Sequence, residues 1–395
     1  MIKLPLNNIH TRFKESLFDR YLPLMDEFII DHEHGGFICM VDIYTGKRNS
    51  SEKLTWFEGR GIWVYSFLYN NFEQNPRYLE IAEKSLNFIL NLEPTGDKFW
   101  PARFTKEGKP ITEKGDIYGN LFIAEGLAEY AKASGKSGYF DQAKKIILNC
   151  FEKYEQPDYS YIPEELGLEN TRVLGHWMIF LRLTTQMLEQ RPDMELEKIA
   201  EASVYAILNR HMNPEFELLN EYLNHDFTLP SNRYSNYFCL GHSIEAFWMM
   251  MFEAIRKQDS QLFHDAKDGF KRHVTVAKDS LYGGFFNDHL NAGSEVWNGN
   301  KLLWLHQEIL VGSLLISELT GEEWAQNCFA ETDQYIQNRF HRDGMKFWIH
   351  EGDRTLNHFN TSRAEHYHYP RQLMLNLLSI ERLLERNGKP SGQFL

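Results

Sequence analysis

Cysteine is scarce in this sequence, and its spacing excludes several kinds of site. The four cysteines among 395 residues are Cys39, Cys150, Cys239 and Cys328. None of them forms a Cys-x-x-Cys pair or another spacing typical of metal ligands, and all lie in or beside apolar segments. The sequence therefore predicts reduced, structural cysteines rather than disulfides or a cysteine-bound metal.

Long apolar runs and an excess of basic residues are also absent. No stretch reaches the about 18 uninterrupted apolar residues that a membrane-spanning helix needs, and the N-terminus has no apolar signal-peptide core. The formal net charge of −13 argues against nucleic acid or an acidic membrane as partner, because phosphate binding requires clustered Lys and Arg. These absences predict a cytoplasmic protein.

No segment rich in glycine, proline or serine divides the chain, so we expect one domain over residues 1–395. Apolar residues recur with helical periodicity through most of its length. The pattern predicts twelve helices, near residues 10–27, 60–74, 77–92, 118–134, 139–155, 172–190, 194–210, 242–257, 260–278, 302–319, 322–340 and 370–386. Strand signals are few, and we interpret three of them as short hairpin pieces, at residues 35–42, 99–104 and 283–286.

From the second helix onward, every second helix begins with a residue that could carry chemistry. These positions, spaced about 60 residues apart, are Arg60, Asn120, His176, His242, Glu308 and His368. Six helix pairs of this length suit an all-α closed toroid with the even helices inside and the odd helices outside. The N-termini of the inner helices would then surround one cleft, where their dipoles favour negative charge.

Two histidines at helix starts are the central candidates. Glu245 follows His242 by three residues, so both lie on one helix face, and the carboxylate could orient the imidazole as a general base. A surface His–Glu pair would show the same spacing, but His368 opens another apolar helix in similar surroundings, which favours a shared site. His366 and His368 form a His-x-His pair without a third ligand nearby in the sequence, so we expect no metal site.

Other helix starts supply further candidates. Arg60 could hold an oxyanion through its fixed fork of donors, although a surface salt bridge would equally explain it. Trp304 and Glu308 are four residues apart on one face, and an aromatic plate beside a carboxylate suits a sugar ring and its hydroxyls. A core tryptophan and a solvated glutamate are the alternative. His176 is the weakest candidate, since its neighbour Met178 is an ordinary core residue.

Several motifs, in order along the chain, resemble the N-acylglucosamine 2-epimerase superfamily. The family pattern runs from a Gly-Gly-Phe segment and an aromatic-Gln-x-Arg-x-x-Trp motif to Gly-His-x-x-Glu, Trp-x-x-x-Glu and His-x-Pro-Arg. Similar segments stand here at residues 35–37, 57–63, 241–245, 304–308 and 368–371. No single motif is specific, but their order and spacing are family-like from about residue 35 to 380.

The resemblance implies an (α/α)6 barrel that inverts or isomerises C2 of an aldose without a metal or redox cofactor. The two histidines that flank C2 in the family correspond to His242 and His368, and the arginine near the sugar oxygen corresponds to Arg60. Family glutamates that support the histidine and bind hydroxyls correspond to Glu245 and Glu308. One imidazole would remove the C2 proton, which the adjacent carbonyl acidifies, and the other would return a proton to the opposite face.

Within the family, the sequence is more similar to the N-acyl branch. Residues 177–179 resemble a Pro-Met-Ile-like segment of that branch, whereas branches acting on unmodified sugars carry a histidine at the position that corresponds to Met178. The chain departs from the family at Glu58, where glutamine is usual, at Leu240, where proline is usual, and at residues 363–366, where Trp-Lys-Gly is usual. These departures leave room for a different C2 substituent. We expect further substrate contacts from Trp304, Asn120, His176 and Arg371.

The predicted function is therefore the interconversion of N-acyl-D-glucosamine and N-acyl-D-mannosamine by two histidines. A cellobiose or mannobiose 2-epimerase and a mannose-type aldose–ketose isomerase are alternatives within the family. An (α/α)6 glycoside hydrolase, which needs two carboxylates across the scissile bond, and a helical scaffold without catalysis are more distant. Some N-acyl members are activated by ATP; no Walker-type loop is present here, and nucleotide activation stays open, as does a homodimer.

Overall fold

The fold is known from a computed structural model that describes residues 1–96, 98–112, 114–159 and 170–394. These residues contain twelve helical segments, of which α1 (residues 6–29) combines α-helix over Leu6–Lys14 and Leu22–Leu24 with π turns over Glu15–Tyr21 and Met25–Ile29. The others are α2 (Thr55–Asn71), α3 (Pro76–Leu90), α4 (Ile117–Ser134), α5 (Gly138–Tyr154), α6 (Leu174–Gln190), α7 (Met194–Tyr205, continued by the π turn Ala206–Arg210), α8 (Leu240–Lys257), α9 (Ser260–Ala277), α10 (Leu303–Thr320), α11 (Glu323–Arg339) and α12 (His368–Glu385). Each predicted helix is present, with its ends within a few residues, so the predicted all-α fold is confirmed.

The even-numbered helices form an inner ring. Each contacts the next around the ring, from α2 through α4, α6, α8 and α10 to α12, and α12 contacts α2. The odd-numbered helices lie outside: α3, α5, α7, α9 and α11 each pack on the inner helix that precedes them, and α1 packs on α12. This alternation is the predicted (α/α)6 toroid.

The sequences of inner and outer helices explain their positions. In α10 every residue except Trp304 is buried, so this helix must be surrounded by other parts of the protein. The outer helix α9 instead buries one stripe, which includes Leu262, Ala266, Phe270 and Val274 and exposes the opposite face. Burial on one face places α9 at the surface.

Short strands lead directly into four of the six inner helices. β1 (Lys53–Leu54), β3 (Thr171–Val173), β7 (Phe238–Cys239) and β10 (Lys301–Leu302) precede α2, α6, α8 and α10. They pair antiparallel with β2 (Arg103–Phe104), β6 (Tyr222–Asn224), β8 (Asp288–Asn291) and β11 (Glu351–Gly352), and β8 also pairs with β9 (Val296–Trp297). A separate hairpin joins β4 (Met212–Asn213) to β5 (Leu218–Leu219). The N-cap residues of these four helices form no side-chain capping hydrogen bond. The N–H groups of the first turn therefore point into the surrounding space without a side-chain cap.

The predicted hairpin pieces are present as single bridges or two-residue strands. The segment 35–42 forms the bridges Ile30 to Phe37 and Val41 to Arg48, and residues 283–286 contribute the bridge Lys278 to Phe285. The segment 99–104 supplies β2. Gly35 and Gly36 adopt φ values of +85° and +88°, which are left-handed conformations that favour glycine.

Two further expectations concern the membrane and the cysteines. None of the helices in the described part of the chain is both long and apolar enough to cross a bilayer. Cys39, Cys150, Cys239 and Cys328 are all free thiols, and the first three are buried.

Candidate active site

A cavity of about 580 Å³ opens where the N-termini of the inner helices meet. Its aromatic lining consists of Trp56, Trp100, Tyr118, Phe122, Tyr222 and Trp304. Its ionisable lining consists of Arg60, Arg103, Asp116, Glu221, His242, Glu245, His350, Glu351, Arg363, Glu365 and His368. Flat aromatic faces beside many polar groups suit a small hydroxylated ligand.

Both candidate histidines lie beside one tryptophan in this cavity. The ring centroid of Trp304 is 5.7 Å from that of His242 and 5.4 Å from that of His368. The three residues come from the first turns of α8, α10 and α12, which are consecutive around the inner ring. His242 and His368 are 126 positions apart in the sequence and thus share one pocket only through the fold.

Glu221, not Glu245, is the carboxylate beside His242. The Nδ1 atom of His242 lies 2.9 Å from Glu221 Oε1, and the side chain is 29% exposed to the cavity. Burial disfavours the charged ring, but Cys239 and Glu221 outweigh this effect and raise the pKa of His242 well above its usual value. The expected pairing of His242 with Glu245 is therefore wrong.

His368 has the opposite electrostatic setting. Its Nδ1 atom lies 2.9 Å from Glu308 Oε1 and 3.1 Å from Arg371 Nη2. Burial, together with the nearby Arg371 and Arg60, lowers the pKa of His368 to about 3, although Glu365 opposes the shift. His368 is therefore neutral near pH 7, whereas His242 is protonated.

Arg371 lies behind the cavity and ties two carboxylates together. Its Nη2 atom is 2.5 Å from Glu245 Oε1 and 2.8 Å from Glu308 Oε1, and Trp248 Nε1 donates to Glu308 at 2.8 Å. Burial raises the pKa of Glu308, while Arg371 and Trp248 oppose the rise. Arg371 and Glu308 do not line the cavity, so the structure makes them supports of His368 rather than contacts to a ligand.

Arg60 points its charge into a cage of aromatic rings. The guanidinium carbon lies 4.1 Å from the ring centroid of Phe122, 4.7 Å from that of Tyr367 and 4.8 Å from that of Trp56. Burial lowers the pKa of Arg60, and no carboxylate in the described part of the chain forms an ion pair with it. Its donors are therefore available to an oxygen atom in the cavity.

Two expected substrate contacts lie outside the cavity wall. Asn120 is buried and its Oδ1 accepts the backbone N–H of Trp100 at 3.0 Å, so it positions an aromatic lining residue. His176 is fully buried and packs edge-on against Tyr118 and Tyr154. The structure thus gives both residues a supporting position.

The sequence did not predict four acidic residues of the cavity, Asp116, Glu221, Glu351 and Glu365. Glu365 accepts the backbone N–H groups of Tyr367 and His368 at 3.0 and 3.3 Å, and so caps the start of α12. Although burial raises the pKa of Glu365, the nearby His368 and Arg363 lower it well below its usual value. The sequence held one signal for Glu365, because it lies in segment 363–366, where the chain departs from the family pattern. It held no signal for Glu221, which lies in the connection between α7 and α8.

Groups that could hold a metal occur beside both histidines. One contains Glu221, Cys239 and His242, and the other contains Glu245, Glu308 and His368. The His-x-His pair is not such a clamp, because His366 Nε2 lies 2.8 Å from the carbonyl oxygen of Phe57.

Comparisons with known proteins agree with this architecture. The chain is 26% identical to N-acylglucosamine 2-epimerase of Rattus norvegicus over 91% of this chain and 88% of that protein. It is 23% identical to cellobiose 2-epimerase of Dictyoglomus turgidum over 79% of this chain and 82% of that protein. The solved structure of cellobiose 2-epimerase from Bacillus thermoamylovorans superposes with a TM-score of 0.82 at 15% identity, covering 94% of this chain and 99% of that chain.

The family resemblance inferred from the motifs also holds over most of the chain. The sequence profile of the N-acylglucosamine 2-epimerase (GlcNAc 2-epimerase) family matches residues 16–370, which include all six inner helix starts. The chain belongs to the N-acylglucosamine 2-epimerase family.

Proposed function

We propose that this protein is a carbohydrate 2-epimerase that interconverts N-acyl-D-glucosamine and N-acyl-D-mannosamine. The observation that carries the proposal is the pair of imidazoles beside Trp304 in one cavity, with pKa values shifted in opposite directions. Inversion at a carbon atom needs a base on one face and an acid on the other. A neutral and a protonated imidazole in one cavity meet that need at neutral pH.

His368 is the proposed base for one direction. Its Nδ1 lies 2.9 Å from Glu308 Oε1 and 3.1 Å from Arg371 Nη2. We assign the proton to Nδ1, facing the Glu308 carboxylate, so that the Nε2 lone pair remains for the substrate. The C2 proton of a ring-opened aldose passes to Nε2, and its electrons move toward the carbonyl oxygen. His242, protonated at the start, then donates a proton to the opposite face of C2. The reverse direction exchanges these roles.

Arg60 and the inner helix ends are proposed to stabilise the enediolate-like oxygen. A guanidinium that stacks on aromatic rings and has no carboxylate partner in the described residues keeps its donors for a charge that develops during the reaction. The uncapped N-termini around the cavity add partial positive charge. Every step in this scheme belongs to a protein side chain, and none calls for a metal or nucleotide.

Two features support an N-acylated hexosamine as substrate. The rat N-acylglucosamine 2-epimerase matches over most of both chains, and Met178 and Ile179 add apolar surface to the cavity wall, which suits an acyl group. A second candidate, epimerisation or isomerisation of unmodified sugars such as cellobiose or mannose, is favoured by the likeness to cellobiose 2-epimerases.

A glycoside hydrolase fits the cavity less well. Hydrolysis requires one carboxylic acid and one carboxylate free to act on the scissile bond. Here each acidic residue of the cavity has a partner. Glu245 is held by Arg371 and Glu221 by His242. Glu365 and Asp116 accept backbone N–H groups, and Glu351 accepts Asn300 Nδ2.

Deuterium incorporation tests the function and the substrate together. The protein is incubated in deuterated water with N-acetylglucosamine, N-acetylmannosamine, cellobiose or mannose, and products are followed by NMR. We expect deuterium at C2 and the C2 epimer with the two N-acetyl sugars. A ketose from mannose, or exchange with cellobiose alone, would move the assignment to the second candidate. No exchange with any sugar of these classes would contradict the proposal.

A further inference from the structure

Three groups of histidine, cysteine and acidic side chains in the described residues bring their ligand atoms within 4.8 Å of one another. They are Glu221 with Cys239 and His242, Glu245 with Glu308 and His368, and Asp31 with Glu33 and His34. The second group already surrounds the guanidinium of Arg371, and the third contains the ammonium of Lys53, 2.9 Å from Asp31. A cation of the protein thus occupies two of the three groups.

The group around His242 has no such cation. Among the described residues, no lysine or arginine forms an ion pair with Glu221, whose single ionic partner is His242. Glu221 is 2% exposed, and its Oε2 atom is buried without a hydrogen-bond partner in that part of the chain. A buried carboxylate oxygen without a donor is costly, and a bound cation would satisfy it.

Cys239 completes this donor set. It is the residue before α8, it is buried, and Asn287 Nδ2 lies 3.7 Å from its Sγ atom. The spacing of the cysteines in the sequence predicted no cysteine-bound metal, because none is spaced like a metal ligand. In the structure the third ligand, Glu221, comes from a segment that folds back beside α8. The spacing of residues in the sequence does not reveal this contact.

We propose that Glu221, Cys239 and His242 form a Zn²⁺ site in the wall of the cavity and that the bound ion blocks His242. Thiolate, imidazole and carboxylate are the ligand types that zinc prefers, and the thiolate and carboxylate together neutralise its charge. Three protein ligands leave a fourth position for water.

Proton balance explains why the ion inhibits. In the free protein Nδ1 of His242 carries the proton that faces Glu221. Zn²⁺ displaces that proton and the thiol proton of Cys239, so two protons leave and one ion enters. The Nε2 atom then keeps its proton permanently, because the metal uses the other lone pair of the ring. His242 can no longer accept a proton from C2.

Cobalt is a suitable probe because Co²⁺ occupies zinc sites and a thiolate ligand gives a strong near-ultraviolet charge-transfer absorption. The metal-free full-length protein is titrated with CoCl₂, alongside Cys239→Ser, Cys239→Ala and the control Cys328→Ser, whose thiol lies on α11. We expect the charge-transfer band in the unmodified chain and in the control, and its loss in both Cys239 variants. A missing band in the unmodified chain, or one that persists without Cys239, overturns the site.

Inhibition is the second measurement, and it alone rests on the proposed function. Each variant's rate of epimerisation with added ZnCl₂ is divided by its own rate in EDTA. We expect the Zn²⁺ concentration for half-inhibition to rise on the order of tenfold or more in Cys239→Ser and to stay unchanged in Cys328→Ser. MgCl₂, a hard cation, should not inhibit. Equal Zn²⁺ sensitivity in all variants overturns the inhibitory role, whereas the absorption experiment remains valid even if no tested sugar is a substrate.

Discussion

His242 Nδ1 lies 2.9 Å from Glu221 Oε1, and the two residues reach this contact from different segments. His242 stands in the first turn of α8, whereas Glu221 precedes strand β6 in the connection between α7 and α8. A hydrogen bond also fixes the backbone of Glu221, because its carbonyl oxygen accepts the N–H of Leu174 at 2.9 Å. A paired strand thus fixes the carboxylate that sets the charge of the ring.

Replacing this carboxylate should change the pH profile. In Glu221→Gln the ring loses a negative neighbour, so the pKa of His242 falls and the alkaline limit of kcat/KM moves to lower pH. We expect kcat to fall by about 10- to 100-fold as well, because the amide supports the imidazolium less well. Initial rates between pH 5 and 10 measure both effects. Glu215→Gln, an exposed residue of the same connection, is the control, and equal profiles for all three proteins would contradict the role of Glu221.

Replacing each of the two histidines should have a distinguishable effect on the reaction. His242→Ala and His368→Ala are each expected to abolish epimerisation while the helical circular dichroism stays unchanged. In each variant the remaining histidine still faces one side of C2, so one epimer should exchange its C2 proton with solvent without inversion. The two variants should act on opposite epimers. Proton NMR in deuterated water follows this exchange, and retained epimerisation in either variant would exclude that histidine from the pair.

The sequence could predict those parts of the site that follow from the position of a residue within one helix. It could not predict contacts between residues on different segments. Helical periodicity predicted all twelve helices, and their spacing predicted the alternation of inner and outer helices. His242 and His368 were identified because each opens an apolar helix. Glu221 could not be, because its contact with His242 depends on strand pairing between residues with no periodic relation.

The supporting residues show the same limit. Glu245 has ideal i,i+3 spacing to His242, yet its carboxylate turns to Arg371, 126 residues away, because a fully buried guanidinium requires carboxylate partners. Asn120 and Glu308 were expected at the cavity because they begin inner helices. A first-turn position brings a residue near the cavity, but the side-chain direction depends on neighbouring helices that sequence periodicity does not describe.

Arg60 should act mainly on the chemical step. Arg60→Ala removes donors that strengthen as negative charge develops on the sugar oxygen, so we expect kcat to fall by on the order of 100-fold or more with a small change in KM. Arg60→Lys keeps the charge but loses the planar stacking on Phe122 and Tyr367, and we expect it to restore a minor part of the activity. Steady-state kinetics separate the two constants. An effect confined to KM would make Arg60 a binding residue.

The opposite shifts of the two histidines predict a broad pH optimum. The active form carries one proton on the pair, with His368 neutral above its pKa of about 3 and His242 protonated below its raised pKa. Activity should therefore show no acidic limit near 6.5, the usual pKa of histidine, and should decline on the alkaline side as His242 loses its proton. Both reaction directions use the same singly protonated pair, so they should share these limits. An acidic limit near 6.5 in kcat/KM would contradict this arrangement.

We expect Glu58, which does not line the active-site cavity, to make the stability of the protein depend on pH. Its Oε1 accepts the N–H of Phe37 at 3.2 Å, and burial raises its pKa to about 8, although Lys53 opposes the shift. An acid whose folded-state pKa exceeds its unfolded value stabilises the protein fully below the unfolded value, near 4.5, and this contribution disappears as pH rises through about 8.

Glu58→Gln removes this titration and introduces the residue usual in the family. We expect the variant to gain stability relative to the unmodified chain between pH 5 and 9, by on the order of 3 kcal/mol at the alkaline end. Urea unfolding at pH 5, 7 and 9 measures the difference. Glu80→Gln, an exposed position on α3, should leave the pH dependence unchanged. A constant difference between Glu58→Gln and the unmodified chain at all three pH values would show that Glu58 has the same pKa in the folded and unfolded states.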